Sequence, residues 1–283
     1  MTSFSSIVRK YESLCREKDI PEETVMAYLV ELSQQERYNL YMHYEEEMPK
    51  ALEKRFEEGM ARILQGEPMA HVVGYSWFYG YRMVVNGDVL IPRPETEELC
   101  AHVLARLDAH FPSQEEVVCA DVGTGSGAIA ITLKKEEARV KMYASDISQE
   151  AIVVAKENAK NNEADITFFV GDMLKPFIEA GCKLDILVCN PPYIPQEEVM
   201  EASVVDYEPH VALFGGEDGL KYYRDVFSNC KQILKPHSFM AFEMGWNQKE
   251  AMEGLLREYF GEIRHEILKD INGKDRMLFV YFD

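Results

Sequence analysis

The chain has 283 residues, which is more than the usual single domain and enough for one large domain or two modest ones. Hydrophobic residues make up 47% and charged residues 28% of the sequence, so collagen-like, low-complexity and wholly disordered classes are excluded. The formal charge of -19 disfavours nucleic acid as the main partner, because a duplex binder needs cationic side chains to displace counterions.

The cysteines and the N-terminus indicate a reduced, soluble setting. The six cysteines form no C-x-x-C pair and no zinc-like Cys/His cluster, so we expect free thiols and no metal site. The sequence begins without a basic segment followed by an apolar block, and it has no apolar run long enough to cross a bilayer. We therefore expect a cytoplasmic protein that does not bind membranes.

Residues 1–72 carry helix signals only and are predicted to form an N-terminal helical domain. Val25 and Tyr28 recur at the spacing of one helix face. Asp19 and Ser33 are each followed three residues later by a glutamate, which predicts two helix N-caps.

Residues 73–94 are predicted to form a β-hairpin that connects this domain to the rest of the chain. Aromatic and β-branched residues flank Asn86-Gly87, a dipeptide typical of tight hairpin turns. The hairpin would lead directly into the third region, residues 95–283.

Residues 95–283 alternate strand-like and helix-like segments, which predicts a doubly wound α/β sheet. The last two strands are separated by too few residues for a helical crossover, so they should be antiparallel. We expect a Rossmann-like sheet of seven strands with one reversed strand, with the strands at 117–122, 140–145, 166–170, 184–189, 239–243, 263–268 and 277–282.

A glycine-rich segment, Asp121-Val-Gly-Thr-Gly-Ser-Gly127, follows the first sheet strand and leads into a helix. Glycines allow a tight turn and a close approach of a ligand at the carboxyl edge of the sheet. Asp146, at the end of the next strand, is placed to bind ribose hydroxyls. At this point a nicotinamide dinucleotide and other nucleoside-containing cofactors are both open.

The fourth sheet strand is followed by Asn190-Pro191-Pro192-Tyr193, which favours methyl transfer to a planar amine. The lone pair of an amide or aminopurine NH2 is delocalised, so the nitrogen is a poor nucleophile. The side-chain oxygen of Asn190 and the backbone oxygen of Pro191 could hold both hydrogens and favour a pyramidal nitrogen. Consecutive prolines stiffen the loop, and Tyr193 offers a flat face to the conjugated group.

Together these motifs resemble the class I S-adenosylmethionine-dependent methyltransferases that modify amino groups. More narrowly, the chain resembles the release factor glutamine N5-methyltransferases, the PrmC/HemK family. The resemblance runs nearly end to end, and its more specific motifs are Ile91-Pro-Arg-Pro-Glu-Thr-Glu97, Glu208-Pro-His210, Gly215-Gly-Glu-Asp-Gly-Leu220 and Asn272-Gly-Lys-Asp-Arg276.

The resemblance implies roles for individual residues around the donor, S-adenosylmethionine. Asp146 would take the ribose hydroxyls, Asp172 and Met173 would flank the adenine, and Asp121 would support the glycine loop. The residues that would line the methionine end of the donor are Gly123, Thr124, Gly125, Ser126 and Gly127.

The resemblance also implies the acceptor, which is the glutamine of the Gly-Gly-Gln loop in class 1 peptide chain release factors. Asn190, Pro191 and Tyr193 would be the catalytic residues, and Asn190 would also border the donor. Together with Pro192, Arg93 and Glu95 they would bind the substrate. The reaction expected is direct displacement of the sulfonium methyl by a monomeric enzyme, without a metal or a covalent intermediate.

Three other functions remain to be weighed against this one. An N6-adenine methyltransferase acting on DNA or RNA would meet the same chemistry, but it must flip a base and grip phosphates, for which the acidic catalytic region is poorly suited. An inactive donor-binding scaffold and a nicotinamide oxidoreductase are the remaining alternatives.

Overall fold

A computed structural model describes residues 2–198 and 206–283. The chain divides into two compact units. Residues 2–75, with Asp206 and Tyr207, form the first, and residues 76–198 with 208–283 form the second. Among the described residues, no helix has the length and apolar character needed to span a membrane.

The first unit is helical, as predicted. Its core contains Val25, Tyr28 and Phe56, and the rings of Tyr28 and Phe56 stack with their centroids 5.5 Å apart. Its helices are α1 (Phe4–Glu17), α2 (Glu23–Ser33), α3 (Arg37–Met42), α4 (Lys50–Ile63) and α5 (Met69–Val73).

Both predicted N-caps in this unit are wrong, because each residue lies at the end of the preceding helix. Asp19 has a φ of 58° and follows α1, and the amide of Ile20 bonds to the carbonyl of Cys15, which closes the helix in a Schellman motif. Ser33 is the last residue of α2, and Gln34 then adopts the left-handed conformation. The local pattern of a polar residue with a glutamate three residues later therefore occurs here at helix ends, although it is also typical of helix starts.

The hairpin is present, but the turn predicted at Asn86-Gly87 is wrong. Strands β1 (Tyr75–Phe78) and β2 (Tyr81–Val84) form a two-stranded sheet whose connection is Tyr79-Gly80. Both connecting residues have positive φ, 51° and 81°, as a type I′ turn requires. Asn86 instead accepts the amide of Asp88 through its side chain and shapes the segment after β2.

The second unit contains the seven-stranded sheet, and its order is β5-β4-β3-β6-β7-β9-β8. All pairings are parallel except those of β9, which runs antiparallel to β7 and β8, so the predicted single reversed strand is confirmed. The strands are β3 (Val117–Val122), β4 (Val140–Asp146), β5 (Ile166–Val170), β6 (Leu184–Cys189), β7 (Leu234–Glu243), β8 (His265–Lys269) and β9 (Asp275–Phe282).

Helices cover both faces of this sheet because its central strands are apolar on both sides. Cys119 and Cys189 are fully buried and pack on opposite faces of the sheet, and the six cysteines of the chain are free. The helices are α6 (Pro94–His110), α7 (Ala128–Glu136), α8 (Gln149–Asn161), α9 (Lys175–Glu179), α10 (Lys221–Asn229) and α11 (Lys249–Phe260).

Candidate active site

A cleft of about 720 Å³, partly open to solvent, lies in the second unit at the carboxyl ends of four neighbouring parallel strands. This is the edge at which open α/β sheets bind ligands. The residues after β3, β4, β5 and β6 all contribute to it. Of the residues predicted for the site, Gly123, Gly125, Asp146, Asp172, Met173, Asn190 and Pro192 line the cleft.

The glycine loop exposes its backbone to this cleft. Gly123 and Gly125 have φ values of 75° and 53°, and in the part of the chain that the structure describes no heavy atom beyond the adjacent residues lies within 4 Å of where a Cβ would stand at either residue. Gly127 also has positive φ, but a Cβ there would approach Ala155 and Ile131 at 3.2 and 3.3 Å. The first two glycines thus leave room for a ligand, whereas the third allows close packing of α7 and α8.

Asp146 ties two segments of the cleft together. One carboxylate oxygen accepts the amide of Gly125 and the other accepts the amide of Ser148, both at 2.9 Å. Burial raises the pKa of Asp146, and these backbone amides oppose that rise. Since Asp146 lines the cleft, its carboxylate is held in place by the protein before any ligand arrives.

Asp121 lies beneath the loop and is completely buried. It accepts the hydroxyl of Thr124 at 2.6 Å, while Thr124 in turn donates its amide to Ser145. Burial raises the pKa of Asp121 to about 7, although the Thr124 hydroxyl and the Ala130 amide lower it. Asp121 therefore supports the loop from below. The carbonyl of Ser126 accepts a hydrogen bond from the side-chain amide of Asn158.

This buried carboxyl predicts a pH-dependent stability. Between about pH 4 and about pH 7 the folded protein keeps a proton on Asp121 that the unfolded chain loses, so ionisation opposes folding as the pH rises. We expect Asp121→Asn to gain stability relative to the wild type by about 1.4 kcal/mol per pH unit from pH 5 to pH 7. Urea unfolding of both proteins across this range measures it; a constant difference would contradict the shifted pKa.

The residues predicted to flank adenine, Asp172 and Met173, follow β5 and line the same cleft. Met173 has a φ of 44°, and Asp172 is exposed beside it. Ile147 and Val211, which the sequence analysis did not select, line the same cleft with 55% and 48% of their surfaces exposed. Exposed apolar side chains around a polar rim suit a flat heteroaromatic group.

Asn190 stands at the end of β6, where it borders the cleft. Its Nδ2 donates to the hydroxyl of Thr96 at 3.2 Å. Thr96 in turn donates to Glu243 at 2.6 Å, and Tyr193 donates to the other oxygen of Glu243 at 3.2 Å. Asn190 and Tyr193 are thus joined through a buried carboxylate that the sequence analysis missed.

The prolines and the tyrosine of the tetrad are held by the glycine-rich motif at Gly215–Leu220. A Cβ on Gly215 would lie 2.5 Å from the carbonyl oxygen of Pro192, and one on Gly219 would clash with the carbonyl of Tyr193. Ile194 exchanges backbone hydrogen bonds with Leu213 and Gly215 at 3.1 and 2.8 Å. Pro191 itself is buried at the start of this loop.

Arg93 and Glu95 precede the tetrad in the chain and belong to the region around α6. Arg93 forms an ion pair with Glu208 at 2.5 Å, and the other oxygen of Glu208 accepts the amide of Ile91 at 3.1 Å. Glu95 is half-buried, and its charge raises the pKa of Glu243. The motifs at Ile91–Glu97 and Glu208–His210 are therefore in direct contact.

Other cleft residues escaped the sequence analysis because no local pattern marks them. Asp88, Val89 and Leu90 line the cleft after the hairpin, where the misplaced turn had suggested strand. Asn158 of α8 bonds through its amide to both backbone groups of Val84. The remaining lining residues are Ser148, Ala151, Gly171, Pro209, Ala212 and Tyr222.

These residues fit S-adenosylmethionine. The bare glycine backbone accommodates a close ligand, the fixed carboxylate of Asp146 can accept two hydroxyl hydrogens, and the apolar side chains of Ile147 and Val211 suit the adenine. Within residues 2–198 and 206–283, no three His, Cys, Asp or Glu side chains are grouped as metal ligands.

The comparisons with known proteins agree with this architecture. Residues 6–74 match the PrmC N-terminal domain, and residues 102–206 match the methyltransferase small domain. The hMettl16 catalytic domain in complex with MAT2A 3′UTR hairpin 6 aligns with a TM-score of 0.54 at 14% identity over 83% of this chain and 82% of that chain, which shows a shared fold.

The fold and the cleft define a class I S-adenosylmethionine-dependent methyltransferase. Two release factor glutamine methyltransferases give the narrower relationship. The protein from Bacillus anthracis is 47% identical over 86% of both chains, and that from Bacillus subtilis is 44% identical over 79% of this chain and 78% of its own. The chain belongs to the release factor glutamine methyltransferase family.

Proposed function

We propose that this enzyme transfers a methyl group from S-adenosylmethionine to the N5 side-chain nitrogen of the glutamine in the Gly-Gly-Gln loop of class 1 peptide chain release factors. The observation that carries the proposal is the position of Asn190. The Asn190 side chain borders the glycine-lined cleft, and its NH2 group donates to the hydroxyl of Thr96. The Asn190 oxygen therefore points away from Thr96 and is left to accept a hydrogen from the acceptor amide.

The chain contributes by orienting a weak nucleophile. Asn190 Oδ1 and the carbonyl oxygen of Pro191 accept the two hydrogens of the glutamine NH2 and favour a pyramidal nitrogen. Tyr193, whose hydroxyl is fixed on Glu243, packs its ring against the carboxamide. Positioning of this kind supplies a large part of the barrier reduction in a two-substrate reaction.

Residues of the cleft would hold the donor. The backbone of Gly123 and Gly125 receives the methionine end, Asp146 accepts the ribose hydroxyls, and Asp172 with Met173 flanks the adenine. When bound, S-adenosylmethionine supplies an electrophilic methyl group on a sulfonium. Asp121 and Thr124 keep the glycine loop in shape beneath the ligand.

The helical domain supplies recognition of the release factor in this proposal, because the tetrad meets only the tip of one side chain. The matched PrmC N-terminal domain coincides with the helical unit. Helix α3 of that unit exposes Tyr38, Tyr41 and Met42 at 64%, 55% and 78% of their surfaces. Three large apolar side chains at helical spacing form a face suited to a protein partner.

The test is methyl transfer to defined acceptors. Purified enzyme and isotope-labelled donor are incubated with each of three acceptors in separate reactions. The acceptors are a release factor, the same factor with its Gly-Gly-Gln glutamine replaced by alanine, and a duplex oligonucleotide. Peptide mass spectrometry should place one labelled methyl group on that glutamine, with none on the alanine variant. Label on adenine in the oligonucleotide and none on the protein would instead support the nucleic-acid alternative.

A further inference from the structure

Thr96 and Glu243 form a polar cluster next to Asn190, and the hydrogen bonds within it can run in only one direction. Thr96 and Glu243 are 5% and 3% exposed, and they lie on α6 and at the end of β7. Because β7 pairs with β6 in parallel register, with Phe242 opposite Cys189, Glu243 lies beside Asn190 at the same edge of the sheet. Buried polar groups must satisfy one another here.

The direction follows from the chemistry of each group. A carboxylate has no hydrogen to donate, so the Thr96 hydroxyl gives its hydrogen to Glu243 at 2.6 Å. The Thr96 oxygen is then left with lone pairs only and accepts from its remaining neighbour, Asn190. The side of the Asn190 amide that faces Thr96 must therefore be its NH2.

Burial and the charge of Glu95 give Glu243 a pKa above its ordinary value, and three neighbours oppose that rise. They are the Thr96 hydroxyl, the charge of Arg276 and the Tyr193 hydroxyl, each of which stabilises the ionised carboxylate that this direction needs. Arg276 is itself fixed by Asp270 at 3.3 Å and by the carbonyl of Met244 at 3.4 Å. Glu243 thus receives two hydroxyl hydrogens near a constant positive charge.

We propose that Thr96, oriented by Glu243, is a positioning residue that fixes the Asn190 amide with its oxygen toward the acceptor glutamine. This inference rests on the proposed function. A reversed Asn190 amide would present its NH2 group to the substrate. Two NH2 groups cannot hydrogen-bond to each other in this way, so a glutamine would be disfavoured and a glutamate carboxylate would be accepted. Thr96 and Glu243 therefore determine both the rate and the preference for glutamine over glutamate.

The decisive variant is Thr96→Val, which keeps the shape and removes the acceptor. We expect kcat for release factor methylation to fall by about tenfold to a hundredfold, because a buried NH2 loses its partner. Thr96→Ser, which keeps the hydroxyl, should stay within about threefold of the wild type. Donor affinity measured by calorimetry should stay within about twofold in both, since Thr96 does not line the cleft.

A matched control separates orientation from packing. Thr132 is also fully buried, but its hydroxyl has no hydrogen-bond partner among the described residues, so Thr132→Val makes the same change without touching the site. It should leave kcat unchanged. If Thr96→Val does not fold, Glu243→Gln provides the second variant, because its NH2 can donate to Thr96 and permit the reversed Asn190 amide; the same loss of kcat is expected.

The readout specific to orientation is binding of a release factor whose Gly-Gly-Gln glutamine is replaced by glutamate. The wild type should prefer the glutamine form, and Thr96→Val should reduce that preference by about tenfold or more. Wild-type kcat and preference in Thr96→Val, or equal losses in Thr96→Val and Thr96→Ser, would overturn this inference. Failure of the wild type itself to methylate the release factor would instead refute the proposed function.

Discussion

Replacing Asn190 with alanine should reduce methyl transfer to the release factor by about 10²–10³-fold, the loss typical of removing a preorganised group that contacts the reacting atoms. The substituted enzyme keeps the Pro191 carbonyl but loses the acceptor that orients the other hydrogen of the glutamine amide. Thr96, its partner at 3.2 Å, is also left without that hydrogen bond. Single-turnover rates with labelled donor measure the effect.

Donor binding distinguishes this effect from a collapsed site. Asn190 contributes one side chain to a cleft that four strand ends build, so the donor Kd should change by no more than about fivefold. Asn161, exposed at the end of α8, offers the control, and Asn161→Ala should behave like the wild type. Unchanged transfer by Asn190→Ala would show that the acceptor amide is oriented elsewhere.

Replacing Asp146 with alanine should weaken binding of S-adenosylmethionine by about a hundredfold. A charged acceptor contributes roughly 1.5–3 kcal/mol per hydrogen bond, and the ribose presents two hydroxyls to it. The same change removes the contact of the carboxylate with Gly125, so part of the glycine loop loses its support. Asp146→Asn keeps one acceptor oxygen, so it should weaken donor binding by about tenfold, which is less than the loss in Asp146→Ala.

Calorimetry with the donor measures these losses, and Asp165→Ala is the matched control. Asp165 is an exposed acid that precedes β5, at the opposite edge of the sheet from the cleft. The Asp165→Ala enzyme should bind the donor like the wild type. A donor Kd for Asp146→Ala within threefold of the wild-type value would place the ribose away from Asp146.

The sheet was predictable because its signals are local. Buried strands such as β3 and β6 are short apolar runs bounded by glycine, proline or polar residues, and each needs no knowledge of its partners. The glycine loop and the Asn190 tetrad were visible for the same reason, since each is contiguous in sequence. The rule that carboxyl ends of parallel strands share one edge then brought them together.

Turns and helix ends were less predictable because one local pattern suits two structures. Asn86-Gly87 carries a strong hairpin signal, yet the strands join at Tyr79-Gly80, where a tyrosine adopts positive φ. Asp19 has the side chain of an N-cap but ends α1 in the left-handed conformation. In both places, packing of the flanking elements decides between the options.

The polar support of the site could not be derived from spacing. Thr96 and Glu243 are 147 residues apart and become neighbours only when α6 packs near the end of β7. Arg93 and Glu208 are 115 residues apart, so their ion pair is equally hidden in the sequence, although each belongs to a distinctive motif. Contacts between distant segments depend on topology and are absent from any local pattern.

The most direct test is a crystal structure of the enzyme with S-adenosylhomocysteine and a release factor peptide that contains Gly-Gly-Gln. The glutamine nitrogen should lie within hydrogen-bond distance of both Asn190 Oδ1 and the Pro191 carbonyl oxygen, and on the side of the donor sulfur. A glutamine side chain held by other groups, or an Asn190 oxygen turned toward Thr96, would contradict the mechanism.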